Sequence, residues 1–472
     1  MKSSKKKNRT ILLINPPVTA GNKQKIALPP LGILYLAAVL KDNGYHPEVL
    51  DCNVTDYSLK KIANIILRKQ PDIVGMSVMT PQIVNALILS KLVKTKNNKI
   101  KICIGGPHIN SVGAEVFQFS QYPDFLMQGE GEYSFLDLVN NLDGNYKKVK
   151  SLIYLKNGKV QINDKREPIR DLDNLPFPDF TMVDLDAYKS PYVEKYPLMP
   201  IIASRGCPYR CAFCDAHRTH GRMLRKRSVK NIIDEIEYNV KKFGVGHVSI
   251  KDSTFILDKK WVHEFCDELI KRKLNIKWNC NSRVDNLDMD ILRKVKKAGC
   301  KLLSFGVESG SQTVLNNIHK NITIQQARDA FKLSKKVGLK TYAYFMIGNP
   351  GDTVERVKKT IRFAIELDAD LAGFHVTNAY PGTEIYEWGL ANKALEDPRW
   401  YMKRMEYIGL VPLSACLTYE DLSKQQQQDL LKKAFRTFYL RPKFIFRKLA
   451  GINNYKQLKD LFNAGFEVIK SI

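Results

Sequence analysis

The sequence lacks any hydrophobic run long enough to cross a membrane. A membrane-spanning helix needs about 20 apolar residues, and the longest candidate, LGILYLAAVL at 31–40, suits a buried helix better. The N-terminal MKSSKKKNRT leads directly into the strand-like ILLIN, without the apolar segment and cleavage site of a signal peptide. These two absences favour a cytoplasmic protein, and 472 residues are enough for more than one buried core.

Cysteine is scarce and unevenly placed. The chain has nine cysteines, and an odd number without regular spacing is not the pattern of a secreted disulfide framework. We therefore expect reduced thiols. Cys207, Cys211 and Cys214 lie close together, and the other six are scattered at Cys52, Cys103, Cys266, Cys280, Cys300 and Cys416.

Acidic residues are outnumbered by basic ones. The chain has 48 Asp and Glu against 75 Lys and Arg, a net charge of +27, which would attract nucleic acid, anionic membranes or phosphorylated substrates. The densest basic stretches are GRMLRKRSVK at 221–230 and RPKFIFRK at 441–448. Solvated basic faces in a lysine-rich chain would give the same composition, so both interpretations stay open.

Short β-branched runs alternate with amphipathic stretches, which is the pattern of βα units around parallel strands. The Asn-Gly of SLIYLKNGKVQIN at 151–163 predicts a hairpin. The first third is predicted to be a small doubly wound α/β domain with the strands ILLIN (11–15), HPEVLDC (46–52), DIVGMSV (72–78), KICIGG (101–106) and DFLMQG (124–129).

The alternation resumes near residue 199, after the proline-containing stretch DLDNLPFPDF. Six further strand candidates follow, namely PIIAS, GHVSIKD, IKWNCNS, KLLSFGV, KTYAYFMIG and LAGFHVTN. Six βα steps predict a partial or full α/β barrel. The predicted fold is therefore α/β, with a doubly wound domain over 1–145, a β-rich connector and linker over 146–195, the barrel over 196–390 and a helical C-terminal region over 391–472.

The cysteine cluster lies in the stretch SRGCPYRCAFCDAHR, directly after the first predicted barrel strand. Structural zinc sites close with four ligands, often as two separated pairs, and the sequence has no second pair. His217 or His220 could supply a fourth ligand, so zinc stays open as an alternative. A four-iron cluster on Cys207, Cys211 and Cys214 would leave one iron free for chemistry, which makes it the leading prediction.

This loop resembles that of the radical S-adenosylmethionine (SAM) enzymes, in its cysteine spacing and in its place after the first of six barrel strands. The resemblance implies a partial (β/α)6 radical SAM barrel and a [4Fe–4S] cluster on the three cysteines, with SAM bound to the open iron. It also implies that an electron from the reduced cluster cleaves SAM and releases a 5′-deoxyadenosyl radical. Active sites of such barrels lie at the C-terminal ends of the strands.

Further residues resemble the SAM contacts of that family. Asp252 and Ser253, in IKDSTF, would hold the SAM amine. Arg283 would pair with the SAM carboxylate, and Glu308 and Ser309 would accept the ribose hydroxyls. A helix cap for Asp252 and an ordinary ion pair at the barrel rim for Arg283 and Glu308 stay open. The complete set assigned to SAM and its cluster environment is Phe213, Asp252, Ser253, Arg283, Glu308 and Ser309.

A doubly wound domain before such a barrel resembles the cobalamin-binding domain of one large subclass. Ligands of such sheets bind beyond the carboxyl ends of the strands. Small residues there would let the nucleotide tail of cobalamin lie against the backbone. The resemblance assigns cobalamin binding to Ser77, Thr80, Gly105, Gly106, Gly129 and Glu130.

One departure from that subclass's relatives concerns the lower axial ligand of cobalt. Other cobalamin domains carry a histidine two residues after an aspartate, whereas Asp51-Cys52-Asn53 has asparagine at that place. We expect no lower ligand from this loop. His108 is an alternative donor, but an exposed loop histidine near a phosphate is the favoured interpretation.

The resemblance implies a cobalamin-dependent methyltransferase that acts on an unactivated carbon through a 5′-deoxyadenosyl radical and methylcobalamin. A non-methylating cyclisation or rearrangement is an alternative. An RNA-modifying methylthiotransferase is disfavoured, because only Cys52 and Cys103 precede residue 200. We expect a small-molecule or lipid-like substrate, of which an anionic form is one option, a reductant such as flavodoxin or ferredoxin, and no nucleic acid.

The segment KAFRTFYLRPKFIFRKL at 433–449 mixes aromatic and basic residues. Such a segment would suit peripheral membrane contact through Arg441 and Lys443. Core packing is the alternative.

Overall fold

Two separate sheets organise the protein, whose structure is a computed structural model. The structure describes residues 9–449 except 25, 191–192, 194, 404–406, 409–410 and 413–414. Within those residues, no helix has both the length and the hydropathy that a membrane crossing requires.

The first sheet, as described, has seven strands: β1 (Ile11–Asn15), β2 (Glu48–Asp51), β3 (Ile73–Ser77), β4 (Lys101–Gly105), β5 (Phe125–Met127), β6 (Leu152–Lys156) and β7 (Lys159–Ile162). Their spatial order is β2-β1-β3-β4-β5-β6-β7. Strands β1 to β5 are parallel, and all but the edge strand β2 are largely buried, as expected of a parallel sheet covered by helices. The predicted hairpin β6–β7 turns at Asn157 and Gly158, which both have positive φ, and it extends the sheet antiparallel to β5.

Helices cover the faces of this sheet. Their bounds are α1 (Leu31–Asp42), α2 (Leu59–Lys69), α3 (Ile83–Lys94), α4 (Pro107–Val112), α5 (Val116–Phe119) and α6 (Gly131–Asn140). Helix α2 begins after Ser58, whose hydroxyl accepts a hydrogen bond from Lys61 N at 3.2 Å. Helices α1 and α6 pack against each other and frame the pocket described below.

The second sheet carries the six predicted barrel strands. The strands of this part of the chain are β8 (Leu198–Ile201), β9 (Ser204–Arg205), β10 (Arg225–Lys226), β11 (His247–Ile250), β12 (Lys277–Ser282), β13 (Cys300–Glu308), β14 (Lys340–Ile347) and β15 (Leu371–Val376). The six-stranded sheet is parallel in the order β15-β14-β13-β12-β11-β8, and β9 pairs antiparallel with β10. The predicted fold class is confirmed.

Side chains on β12 alternate between two environments. Trp278 and Cys280 are fully buried, and Trp278 packs edge-to-face on Phe265 of the covering helix layer. Asn279 faces the opposite way and donates through Nδ2 to Ser249 Oγ at 3.2 Å. Parallel strands buried on both faces are usually hydrophobic throughout, so this polar inner face indicates a cavity rather than a packed core.

Ten helices cover the barrel or follow it within the described residues. Most of the longer ones begin at a Ser, Thr or Asp that caps the helix N-terminus with its side chain. The bounds are α7 (Ala216–His220), α8 (Val229–Phe243), α9 (Lys259–Lys271), α10 (Met289–Lys297), α11 (Gln312–Asn317), α12 (Ile324–Val337), α13 (Val354–Glu366), α14 (Glu384–Ala391), α15 (Lys424–Tyr439) and α16 (Pro442–Leu449).

The C-terminal helices close the barrel beside β15. Tyr439 Oη of α15 donates to Ala372 O at 2.6 Å. Asp368 binds both cations predicted for membrane contact, with Arg441 Nη2 at 3.5 Å and Lys443 Nζ at 2.9 Å, so both make ion pairs within the protein. The part of the predicted helical region beyond residue 449 lies outside the described residues, and the domain boundaries 1–145, 146–195, 196–390 and 391–472 remain our proposal.

Candidate functional site

The cysteine loop begins where the first barrel strand ends. Gly206, directly before the first cysteine, has a φ of +91°, and a Cβ there would lie 2.1 Å from Met223 O, so the position requires glycine. Two hydrogen bonds anchor the loop on the barrel, because Ala212 N donates to Ile318 O at 2.9 Å and Ala212 O accepts from Ile385 N at 3.0 Å. The three loop thiols are free and partly exposed.

The loop thiols suit a cluster better than a single ion. Burial raises the pKa of Cys211 and raises that of Cys214 to about 11, so both stay protonated until a metal displaces the protons. In the described part of the chain, no group of three His, Cys, Asp or Glu side chains is placed to hold a single metal ion. A cluster needs no such group, because each cysteine binds a different iron. The Nδ1 atoms of His217 and His220 lie 3.1 Å from Cys214 O and from Glu130 Oε1.

Two predicted SAM residues, Arg283 and Glu308, lie beside this loop, and a third, Phe213, belongs to it. The Arg283 guanidinium carbon lies 3.6 Å from the centroid of the Tyr209 ring. Glu308 accepts from Lys320 Nζ at 2.7 Å, and that ammonium lies 5.7 Å from the centroid of the Phe213 ring. Glu308 has a φ of 67°, a costly conformation for a residue other than glycine that is concentrated at binding sites.

Arg283 and Glu308 are buried, and each has its own counter-ion. Arg283 Nη2 lies 2.8 Å from Asp285 Oδ2, whereas Glu308 pairs with Lys320, so they do not pair with each other. The positive charges of Lys320 and Arg283 oppose the rise that burial causes in the pKa of Cys211. Lys320 was not singled out from the sequence, because no local motif marks it. Two buried cations therefore lie beside thiols that become anionic when they bind metal.

Asp252 supports the strand that leads into the cysteine loop. Its oxygens accept from Ala203 N at 2.8 Å and from Ser204 Oγ at 2.6 Å, so the carboxyl does not cap the following helix. The neighbouring Ser253 is exposed. Ser309 is fully buried, with its Oγ 3.2 Å from Thr360 Oγ1, so its hydroxyl is engaged by helix α13.

We expect Asp252 to give the iron-free protein a pH-dependent stability. Burial raises the pKa of Asp252 from 3.8 to about 6, against the hydrogen bonds from Ser204 and Ala203. The folded state therefore binds this proton more tightly than the unfolded state does. The protonated carboxyl stabilises the fold fully below the unfolded pKa, and this contribution is lost as pH rises through about 6. A shift of this size corresponds to about 3 kcal/mol. The urea midpoint of Asp252→Asn minus that of the wild type should increase as pH rises from 3.8 to about 6. Midpoints that change with pH in parallel in the two proteins would contradict the prediction.

The first domain contains a pocket at the carboxyl ends of β3, β4 and β5, the edge at which doubly wound sheets bind ligands. Its cavity volume is about 220 Å³. Five of the six predicted cobalamin residues line it, namely Ser77, Gly105, Gly106, Gly129 and Glu130. Three more glycines that the sequence analysis did not assign also line it, at Gly32, Gly75 and Gly131.

Two of these glycines let the backbone of the pocket wall pack closely against neighbouring groups. Gly106 has a φ of +97°, and a Cβ there would lie 2.7 Å from Val78 N. A Cβ on Gly75 would lie 2.7 Å from the Phe135 ring. Neither position has room for a side chain, so the backbone itself forms this part of the pocket wall, and a backbone wall suits the nucleotide tail of cobalamin.

Thr80 and His108 lie apart from this pocket lining. Thr80 Oγ1 is 3.1 Å from His108 Nδ1, and the Tyr401 ring packs edge-to-face on the imidazole at 5.2 Å. The prediction that His108 is an exposed loop histidine is wrong, because only 1% of its surface is accessible. Burial lowers the pKa of His108 to about 4. Asn53 stands where other cobalamin domains carry the axial histidine. Its side chain is held by the backbone, because Asn53 Nδ2 donates to Pro16 O at 3.0 Å.

A buried ion cluster joins this pocket to the cysteine loop. Arg225 on β10 donates to both oxygens of Glu130, at 3.0 and 2.8 Å. Arg205, two residues before the first cysteine, donates to Glu132 Oε1 at 2.6 Å. Burial alone would raise the pKa of Glu130, but hydrogen bonds from His220 and Arg225 and the charge of Arg205 hold it below the ordinary range. Arg205 and Arg225 were not assigned to a site from the sequence, because their partners are distant in sequence.

The three thiols beside buried cations suit an iron–sulfur cluster, and the adjoining glycine-lined pocket suits the nucleotide tail of a corrinoid. A protein with both sites has the arrangement of the radical SAM enzymes that also bind cobalamin. The model of the radical SAM superfamily matches residues 201–364, and that of the B12 binding domain matches residues 19–139. The chain belongs to this family of cobalamin-binding radical SAM enzymes, with a [4Fe–4S] cluster, SAM and cobalamin as its cofactors.

Relatives are similar to the chain along most of its length. It is 33% identical over 443 residues to an uncharacterised methyltransferase of Pyrococcus horikoshii, which covers 93% of this chain and 94% of that protein. It is 32% identical over 387 residues to the anaerobic magnesium-protoporphyrin IX monomethyl ester cyclase of Rubrivivax gelatinosus, covering 80% and 69%. The structure of the cobalamin-dependent SAM radical enzyme OxsB shares the fold, with a TM-score of 0.75, 18% identity and coverage of 98% and 71%.

Proposed function

We propose that this protein is a cobalamin-dependent radical SAM methyltransferase that methylates an unactivated carbon of a small molecule. The observation that carries the proposal is that the two cofactor sites adjoin. Helix α7, which follows Cys214 closely, supplies Thr219 and His220 to the wall of the glycine-lined pocket. The Pyrococcus horikoshii relative, which is named as a methyltransferase, supports the reaction type.

When bound, the reduced cluster and SAM supply a 5′-deoxyadenosyl radical, and cobalamin supplies the methyl group. The three cysteines hold the cluster, and Arg283 and Lys320 keep positive charge beside it. We assign Phe213, Glu308 and Ser253 to the SAM pocket around this loop. Asp252 and Ser309 are positioning residues, because their polar atoms bind neighbouring protein groups.

The barrel interior is our proposed substrate site. Lys251 directly follows β11 on the same face as Ser249, and its backbone N continues the ladder by donating to Ile201 O at 2.8 Å. Its side chain is exposed, so its ammonium group is accessible to a substrate at this end of the strand. This cation favours a substrate with an anionic group. A low-potential donor such as flavodoxin or ferredoxin would reduce the cluster from the side of the exposed Arg210 and Arg218.

The reaction type can be tested before the substrate is known. Anaerobically reconstituted protein is incubated with reductant and SAM, with and without bound cobalamin, and the nucleoside products are quantified. We expect 5′-deoxyadenosine in both samples and S-adenosylhomocysteine only in the cobalamin-loaded one, because a methyl group leaves SAM only when an acceptor is present. Formation of 5′-deoxyadenosine alone by the loaded enzyme would contradict methyl transfer.

A non-methylating ring closure is the second candidate. The cyclase of Rubrivivax gelatinosus has nearly the same sequence identity to this chain as the methyltransferase relative, 32% against 33%, although over fewer residues. The same experiment separates the two, since such a reaction would consume SAM without forming S-adenosylhomocysteine.

A further inference from the structure

The short helix α16 turns an apolar face to solvent. Its residues 442, 445, 446 and 449 lie at the spacing i, i+3, i+4 and i+7, which places them on one side of a helix. These exposed residues are Pro442, Ile445, Phe446 and Leu449, and Phe446 keeps 70% of its surface accessible. The opposite side is anchored, because Phe444 is buried against aromatic rings of α15. Helices of globular proteins usually point their apolar side at the core, so an outward apolar face indicates an interaction site.

Helix α16 lies at the end of the barrel opposite to the cysteine loop. Arg447 Nη2 donates to Ala369 O at 3.0 Å, and Arg447 Nη1 lies 3.5 Å from Asp368 Oδ1. Asp368 also pairs with Lys335 of α12 at 2.6 Å. Asp368 and Ala369 lead into β15, whereas the cysteine loop follows the carboxyl end of the first barrel strand. Because the six strands are parallel, α16 and the last turn of α12 lie at the edge where the strands begin, away from the cysteine loop.

A basic groove continues this surface. Helices α10 and α12 pack against each other, and the groove between them is lined by Arg293, Lys296, Lys297 and Lys336. All four side chains are exposed, and the described lining of the groove contains no acidic residue. The residue before Lys336 is the one that shares Asp368 with α16. The basic groove and the apolar face of α16 therefore lie on neighbouring elements at one end of the barrel.

We propose that this end of the barrel is a docking surface for an anionic lipid bilayer. Lys and Arg side chains attract anionic headgroups, and a helix face with Phe and Leu inserts at the boundary between headgroups and acyl chains. Cations in the last turn of a helix also complement its dipole, so the charge alone would not carry the proposal. The apolar face beside the charge favours a bilayer over nucleic acid, because Ile445, Phe446 and Leu449 offer no side-chain hydrogen bond to a phosphate.

This surface differs from the one that the sequence suggested. Arg441 and Lys443 both bind Asp368, so they fix α16 on the barrel, whereas Phe446, Lys297 and Lys336 are exposed. Docking through the exposed residues would direct the cysteine loop away from the bilayer. The inference is independent of methyl transfer, because none of these residues lies at the proposed cofactor sites.

Binding to vesicles tests the proposal. The cluster-loaded full-length protein is sedimented with vesicles of phosphatidylcholine alone, or of phosphatidylcholine and phosphatidylglycerol in equal amounts, at low and at high salt. We expect binding only to the anionic vesicles, and we expect it to weaken at high salt, which screens exposed charges. Phe446→Ser should weaken it roughly 10- to 100-fold, because the transfer of a Phe side chain out of water is strongly favourable. The double variant Lys297→Glu and Lys336→Glu should weaken it by at least about 10-fold.

The first domain offers matched controls. Ile162→Ser replaces an apolar residue that is 64% exposed on β7, and Lys61→Glu with Arg68→Glu reverses two exposed cations that line a groove on α2. Both controls should bind vesicles as the wild type does. The formation of 5′-deoxyadenosine from SAM should be unchanged in every variant, so a failure of the proposed function would leave this test intact.

Four results would overturn the inference. The first is wild-type protein that does not bind the anionic vesicles, and the second is an equal loss of binding in the control variants. The third is Phe446→Ser that binds as the wild type does, and a lower urea midpoint in that variant would mean that Phe446 packs against the chain itself. The fourth is wild-type protein that binds an RNA duplex more tightly than vesicles, which would assign the groove to nucleic acid.

Discussion

Replacing Cys211 by serine should abolish the reductive cleavage of SAM. The reason is that the loop supplies three thiols close together in sequence, at Cys207, Cys211 and Cys214, and a hydroxyl does not replace a thiolate as a ligand of iron in such a cluster. After anaerobic reconstitution, iron and sulfide should fall well below the wild-type content, and 5′-deoxyadenosine should fall to the level formed without protein. Cobalamin binding should persist, because the glycine-lined pocket belongs mainly to the other domain.

Cys266→Ala provides the matched control for this experiment. Cys266 lies in helix α9 and is fully buried in the core, away from the loop, and burial raises the pKa of its thiol, which keeps it protonated. This variant should retain iron and SAM cleavage, with at most a modest loss of stability from the small cavity. Equal losses in both variants would mean that general destabilisation, and not ligand removal, explains the result.

Enlarging Gly32 should close the cobalamin pocket without unfolding the domain. Gly32 lies in the first turn of α1 and lines the pocket, and a Cβ there would meet Ser77 Oγ at 3.8 Å, an ordinary contact. Gly32→Leu would project its side chain into the pocket. Because overpacking costs about 1–3 kcal/mol, we expect roughly 10- to 100-fold weaker cobalamin binding, measured by absorbance titration.

The size series at this position supplies its own control. Gly32→Ala adds a single carbon without backbone strain, so cobalamin affinity should stay close to that of the wild type, and helix propensity should improve slightly. Iron content should be normal in both variants. If Gly32→Leu binds cobalamin as tightly as the wild type does, the nucleotide tail does not occupy this pocket.

The local patterns of the sequence predicted most of the architecture. The strand ILLIN and most of its successors are short buried runs, and strand and helix alternate through β1 to β5 and through the six parallel strands of the barrel. The cysteine spacing was sufficient to indicate the cluster loop. Five of the six predicted cobalamin residues line one pocket, because they follow strands whose carboxyl ends meet at one edge.

Predictions about individual polar side chains were less reliable. His108 was expected to be exposed and is buried beside Thr80 and Tyr401. The hydroxyl of Ser309 binds helix α13, and Asp252 binds the strand before the cysteine loop. The sequence places such residues at a strand end but does not specify which neighbour accepts or donates the hydrogen bond.

The sequence by itself predicted the fold class and the three-cysteine loop, because each follows from residues that are close together along the chain, and the family resemblance of those local motifs implied the cofactors. Only the tertiary structure decided how the two cofactor sites are joined. Glu130 and Arg225 are 95 positions apart, and Glu132 and Arg205 are 73 positions apart, so neither pair leaves a local pattern. Lys320 likewise reaches Glu308 only when the barrel strands and their loops are assembled. Contacts between charges distant in sequence depend on the packing of whole elements, and that packing is what brings the pocket and the cysteine loop together.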